Sequence, residues 1–164
     1  MRTRNFAMVV VALAAALSMA LAVTSGARSG GGGGASKTLK ASLTGAAERP
    51  GPGDSDGRGR ARITLLREFN AVCFRLRWNN IAAPTAAHIH RGAADEPGPI
   101  VVGLFDSSSV RRRGCVDGVE RSLLREIRRN PAAFYVNVHN ADFPNGAIRG
   151  QLERTGRNRG RDSN

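Results

Sequence analysis

Residues 72–78, Val-Cys-Phe-Arg-Leu-Arg-Trp, alternate apolar and polar side chains. Val72, Phe74, Leu76 and Trp78 would share one face of a β-strand, and the residues between them would face water, so the pattern predicts a half-buried strand. Ile63 and Leu65 flank a threonine with the same period. Turn-forming proline, glycine and asparagine residues separate the later apolar stretches. Further strands are therefore predicted over 86–90, 100–105, 134–139 and 147–152.

One segment departs from the period of two. Val119, Leu123 and Ile127 recur every four residues, with Leu124 beside them, and the pair Asn130-Pro131 follows. This spacing predicts one short amphipathic helix that ends before the proline. Many short strands with one inserted helix are typical of a mainly β domain. We predict an immunoglobulin-like or Greek-key β-sandwich or barrel with one short α-helix.

The length and composition exclude several classes of protein. The chain has 164 residues, two cysteines, one tryptophan and one tyrosine. This length fits one domain of ordinary size. The small supply of large apolar side chains and cysteines excludes a large α/β enzyme, a membrane protein with many spans and a small disulfide-rich scaffold.

The N-terminal segment predicts export. Arg2 and Arg4 precede an apolar run from Phe6 to Val23, and Ser25-Gly26-Ala27 offers a cleavage site with small residues. We predict a signal peptide over residues 1–27 and a secreted or extracytoplasmic location, without a membrane span once the signal is cleaved. The alternative is an uncleaved N-terminal membrane anchor, because the apolar run approaches the length of a span.

The remaining chain divides into three predicted parts. Residues 28–37 are rich in glycine and serine and form a flexible linker. Residues 38–153 form the β domain, and residues 154–164 form a disordered basic tail.

Cys73 and Cys115 are the only cysteines. In an oxidising compartment an even number of cysteines implies pairing, so a Cys73–Cys115 disulfide is predicted. Two free thiols or an intermolecular bridge are the alternatives.

The longest motif of the chain is YVNVHNADFPNGAIRGQL at residues 135–152, preceded by TAAHIHRG at 85–92 and GPIVV at 98–102. Together with LTGAAERP at residues 43–50, these stretches resemble the CHRD (chordin-type) domain. The resemblance runs from about Leu39 to Leu152. It implies an immunoglobulin-like β module of the kind found in secreted bacterial proteins and in an animal extracellular antagonist of growth factors. The positions that carry the family motif are Glu48, Pro50, Gly92, Asn137, Asp142, Gly146, Arg149 and Gly150.

All three histidines fall within these motifs. His88 and His90 would share one face of a strand, and His139 would share the outward face of another strand with Tyr135 and Asn137. If the strands are neighbours, three imidazoles could converge within about 4 Å and bind zinc or copper. The alternative is structural, with the ring N–H groups donating to loop carbonyls and fixing the connections between strands.

The net charge of +12 comes almost entirely from arginine. We interpret these residues as dispersed over a loop at 111–113, the predicted helix and the tail, which favours a solvated surface. Attraction to an anionic envelope polymer is the alternative, and nucleic acid is not expected because the chain is exported. Arg149 and Asp142 flank the Pro-Asn-Gly turn and could pair across it.

The sequence therefore predicts an exported, non-enzymatic module that acts by binding or as a structural component. Its partner would be an unknown protein or an anionic envelope polymer. Catalytic residues and cofactors are not predicted, because the chain has no Gly-x-Ser-x-Gly, phosphate-loop or His-Glu-x-x-His motif. The alternative function is a zinc- or copper-binding or redox protein that uses His88, His90 and His139.

Overall fold

A computed structural model describes residues 36–156 of the chain. The predicted signal peptide at 1–27, nearly all of the predicted linker and the tail from residue 157 onward lie outside the described residues.

The described residues form nine strands, one α-helix and two 3-10 turns. The strands are β1 Lys37–Thr44, β2 Arg58–Leu66, β3 Ala71–Asn79, β4 Pro84–Arg91, β5 Ile100–Phe105, β6 Arg113–Val116, β7 Phe134–Asn140, β8 Ile148–Gln151 and β9 Glu153–Arg154. The helix α1 spans Arg121–Arg129, and the 3-10 turns span Gly45–Ala47 and Pro131–Ala133.

All strand pairs are antiparallel, in the order β5-β4-β7-β8-β1-β2-β3-β6, and β9 pairs with β1. The two end strands, β5 and β6, lie near each other, so the sheet curves into a nearly closed barrel. The predicted mainly β fold with one short helix is confirmed.

The interior is filled by the alternating apolar residues of the strands. Ile63, Val72 and Leu76 are fully buried, as their spacing predicts, and Leu124 and Ile127 of α1 pack on the same core. Strand β1 was not among the predicted strands, although Leu39, Ala41 and Leu43 alternate and are buried. Strand β6 was missed because its four residues are too few to display a period.

The helix begins later than predicted. Val119 lies before its first residue, Arg121, and the Val119 backbone N–H instead donates to the carbonyl of Asn70 at 2.7 Å. The Val119 side chain is still buried, so its apolar character reflects core packing rather than a helical turn.

The structure contains the predicted Cys73–Cys115 disulfide. The two residues are directly opposite each other in the β3–β6 register, with their Cα atoms 3.9 Å apart. The bridge therefore fixes the short strand β6 to the edge of the sheet.

Two domain boundaries need correction. Lys37, assigned to the linker, begins β1 and pairs with Leu65. Arg154, assigned to the disordered tail, pairs with Leu39, and its guanidinium donates to the carbonyl of Arg129 at 2.7 Å. Residues 36–156 contain no helix with the length and apolar character that a membrane span needs.

The interpretation of the arginines as dispersed is wrong for one face of the barrel. Arg60, Arg62, Arg75 and Arg77 all lie on the exposed face of β2 and β3, where the register places them opposite one another in pairs. The period of two predicts that each arginine faces water, but only the pairing of the strands brings them together.

Candidate functional site

The register of three neighbouring strands places the motif residues on one outer face of the barrel. His88 of β4 is opposite Asn137 of β7, which is opposite Arg149 of β8. In the next row His90 is opposite Tyr135. His139 lies farther along β7, so all three histidines occupy adjoining positions.

This face is covered, although the period of two places it on the outward side of β7. Tyr135 is 2% and Asn137 3% exposed, and His90 is 8% exposed. The loop after β4 contributes to the cover, because the Gly98 backbone N–H donates to the Tyr135 hydroxyl at 3.1 Å. Strand β7 therefore has apolar residues on one side and a buried polar layer on the other.

Two of the histidines bind loop carbonyls. His90 Nδ1 lies 2.9 Å from the carbonyl of Gly98, and His139 Nδ1 lies 3.0 Å from the carbonyl of Pro144. Because a carbonyl only accepts, both Nδ1 atoms carry the proton, and in the neutral rings Nε2 holds a lone pair. The histidines thus fix the two loops, as their structural role predicts.

The same bonds direct the remaining nitrogens toward one another. His139 Nε2 lies 3.1 Å from His88 Nδ1, and the Nε2 atom of His90 is buried without a hydrogen-bond partner among the described residues. One ring nitrogen from each histidine lies within 4.8 Å of the others. The His88–His139 pair lies within the expected separation of about 4 Å, and the bound of 4.8 Å for all three nitrogens is slightly wider.

Burial keeps these rings neutral. Burial, together with the adjacent His139 and His90, lowers the pKa of His88 to about 4. Burial also lowers the pKa of His90 and His139, against the hydrogen bonds to Gly98 and Pro144 that raise them. A cluster of imidazoles held neutral provides lone pairs at neutral pH.

Tyr135 and Arg149 form a stack with His90 at one end of the histidine cluster. The Tyr135 ring stacks on His90 with their centroids 4.7 Å apart, and Arg149 Cζ lies 3.5 Å from the centroid of the same ring. The importance of Tyr135 was missed, although its place in the longest motif was a signal.

The sequence suggests that Arg149 pairs with Asp142 across the turn, but the two side chains do not pair in the structure. Arg149 is 1% exposed, and its Nη2 atom donates to the carbonyls of Ala93 and Glu96. Asp142 is exposed and forms no ion pair with the other residues of 36–156. The arginine points along the sheet toward the loop after β4, away from the turn after β7.

Glu48 closes the other end of the polar layer. Its carboxylate Oε2 accepts a hydrogen bond from Asn137 Nδ2 at 3.3 Å, and its Oε1 is buried without a partner among the described residues. Gly146 has φ 143°, and a Cβ there would lie 2.5 Å from Glu48 Oε2. Only glycine allows this turn to pack directly on the carboxyl group.

Two further glycines of the motif, Gly150 and Gly92, take part in contacts between elements of the barrel. A Cβ at Gly150 would lie 2.0 Å from the carbonyl of Ser42, so glycine permits β8 to approach β1. The Gly92 carbonyl accepts a hydrogen bond from Gln151 Nε2 at 2.9 Å. Pro50 is exposed beside a cavity of about 170 Å³ that Asp142 and Gly146 also line.

Glu48 predicts a pH dependence of stability. Burial raises the pKa of Glu48 from 4.5 to about 7, although Arg149 acts to lower it. Because the folded protein binds this proton more tightly than the unfolded chain does, protonation of Glu48 stabilises the fold. The stabilisation is fully present below pH 4.5 and is lost as pH rises through about 7. The free energy of unfolding of E48Q minus that of wild type should therefore increase by about 2–3 kcal/mol as pH rises from 4.5 to 8.

Urea denaturation of both proteins across this range measures the difference. E153Q is the control, because Glu153 is exposed and pairs with Lys40 at 3.5 Å. Its difference from wild type should change by less than about 1 kcal/mol. A difference between E48Q and wild type that stays constant with pH would show that Glu48 is ionised in the folded protein.

Comparison with known proteins gives one match. The CHRD domain model matches residues 39–152 of the chain. Neither the curated proteins nor the solved structures include a significant match.

Proposed function

Because the chain belongs to the CHRD domain family, whose members are in general non-enzymatic and typically extracellular, we propose that it is an exported binding module that holds a divalent transition metal. His88, His90 and His139 would supply the ligands. The disulfide agrees with an oxidising location.

The observation that carries this proposal is the arrangement of the lone pairs. Nδ1 of His90 and Nδ1 of His139 are both engaged by backbone carbonyls, while Nε2 of each ring is left to accept. Metal-bound histidines usually donate their other ring N–H to a carbonyl or carboxylate, which fixes the tautomer and the ring orientation. The structural role of these bonds and a metal-binding role are therefore compatible.

Three imidazoles suit zinc and copper among the common metals. Copper(II) should bind more tightly than zinc, since a given set of nitrogen ligands follows that order of affinity. Three protein ligands leave a fourth position for water or for a group from a partner. A binding role rather than catalysis agrees with the family.

Isothermal titration calorimetry of metal-stripped full-length protein with zinc and copper(II) at pH 7.5 tests the proposal. We expect one ion per chain. H88A should weaken binding by a factor of at least about 100, because it removes one of three ligands. His88 is half-buried and its ring bonds only His139 among the described residues, so this variant should fold.

D142N is the matched control. Asp142 is an exposed carboxylate in the turn after β7, three residues from His139, and lies outside the histidine cluster. Its replacement should leave affinity within about twofold. Absence of binding by the wild type, or an equal loss in D142N and H88A, would leave the histidines with their structural role alone.

A further inference from the structure

The outer face of β1, β2 and β3 carries a compact group of cations. We define the basic face as Lys40, Arg60, Arg62, Arg75 and Arg77, which are all exposed. Arg60 is opposite Arg77, and Arg62 is opposite both Arg75 and Lys40. The group lies on different strands from the histidine cluster and is independent of it.

The charges on the basic face are nearly uncompensated. Lys40 pairs with Glu153 at 3.5 Å at one edge of the face. None of its four arginines forms an ion pair with another of the residues 36–156. Like charges directly opposite each other on neighbouring strands destabilise a sheet. A bound anion would remove this repulsion.

The shape of the face suits an extended ligand. A cavity of about 530 Å³ lies over the basic face, and a second of about 520 Å³ continues past Arg58 to Asn79. Ser42, Arg60 and Arg77 line both cavities, so the two form one trough. Neighbouring strands are roughly 4.8 Å apart, and alternate residues of one strand roughly 6.7 Å apart. Such closely spaced cations match a polymer that carries a charge on every short repeat.

The side-chain chemistry narrows the class of ligand. The guanidinium fork binds phosphate in a bidentate manner, and four of the five cations are arginines. Neither cavity is lined by an aromatic residue, whereas single-stranded nucleic acid is held by bases stacked on aromatic side chains. The lining also lacks the bulky exposed apolar residues with which proteins insert into a bilayer.

From these observations we propose that the basic face binds a linear phosphate polymer without bases. The polymer would lie along the trough, and successive phosphates would engage the arginines of β2 and β3. This assigns to the face a type of partner with uniform, dense negative charge.

Long-chain inorganic polyphosphate is the probe. Its binding to the full-length protein is measured by calorimetry between about 50 and 300 mM salt, because counterion release changes the affinity strongly over roughly this range. R62Q/R75Q should weaken binding about tenfold or more, because it removes two charge-assisted hydrogen-bonding groups. It should also reduce the slope of log affinity against log salt by roughly 0.7 for each phosphate that the variant no longer neutralises.

R125Q/R128Q is the matched control. It removes the same charge from exposed positions on α1, outside the basic face. Its affinity should stay within about twofold of wild type. R62Q/R75Q should have a melting temperature no lower than that of wild type, since it removes a pair of like charges, and this shows that weaker binding is not unfolding.

Three results would overturn the proposal. The first is absence of binding by wild type at about 50 mM salt, the lowest concentration used, where electrostatic binding is strongest. The second is an equal loss in the two double variants, which would show attraction to net charge alone. The third is tighter binding of single-stranded DNA or of anionic lipid vesicles than of polyphosphate at equal charge.

Discussion

We expect replacement of Arg149 by methionine to lower the free energy of unfolding by about 3–5 kcal/mol. The guanidinium is buried, donates to the carbonyls of Ala93 and Glu96, and stacks on Tyr135. Methionine has a similar length but cannot donate, so two carbonyls are left without their donor. Glu48 is also deprived of the positive charge that acts on it.

Denaturation by urea at pH 7 measures this effect, and R154M is its control. Arg154 is exposed, and its guanidinium also donates to a backbone carbonyl, that of Arg129. R154M should cost less than about 1 kcal/mol because water replaces the guanidinium as the donor at the surface. R149K retains the charge without the planar fork and should be intermediate. If the free energy of unfolding of R149M lies within about 1 kcal/mol of the wild-type value, as for an ordinary surface change, Arg149 does not hold the loop.

Loss of the disulfide should have a comparable effect. The Cys73–Cys115 bridge closes a loop of about 43 residues, so C73S/C115S should lower the free energy of unfolding by about 4 kcal/mol in the chain-entropy model. This is a large part of a typical domain stability of about 5–15 kcal/mol. The melting temperature should fall by roughly 10 °C or more.

Thermal denaturation of the oxidised protein, the reduced protein and the double variant tests this expectation. Reduced wild type should match C73S/C115S, because both lack the bridge. The variant itself should not respond to reductant. A reduced wild type as stable as the oxidised protein would contradict the expectation.

The resemblance of residues 39–152 to the CHRD domain was recognisable in the sequence because the motif at 135–152 is long and specific, and the family match confirms it. The period of two also identified the core face of β3 correctly, because Val72 and Leu76 are fully buried. The same period is present in β1 at Leu39, Ala41 and Leu43, so this strand could have been predicted.

The candidate site was predicted only in part. Spacing placed His88 and His90 on one face, but the distance to His139 depends on the pairing of β4 with β7, which lie about 50 residues apart in the chain. The buried state of Glu48 and Arg149 could not be predicted, because charged residues are mostly exposed unless they are paired. Their burial results from loops that pack on the sheet from distant parts of the chain.

Except at the short strand β6, the sequence by itself determined where the strands lie, which side of each meets the core, and which cysteines can pair, since these follow from local periodicity and from counting. The tertiary structure alone decided which polar faces are covered and which charges become neighbours. The same alternation gives both β7 and β2 a polar side. The polar side of β7 is buried under two loops, whereas that of β2 is exposed with its arginines aligned. The physical reason is that strand register and loop packing are contacts between residues far apart in the chain, and local periodicity does not encode them.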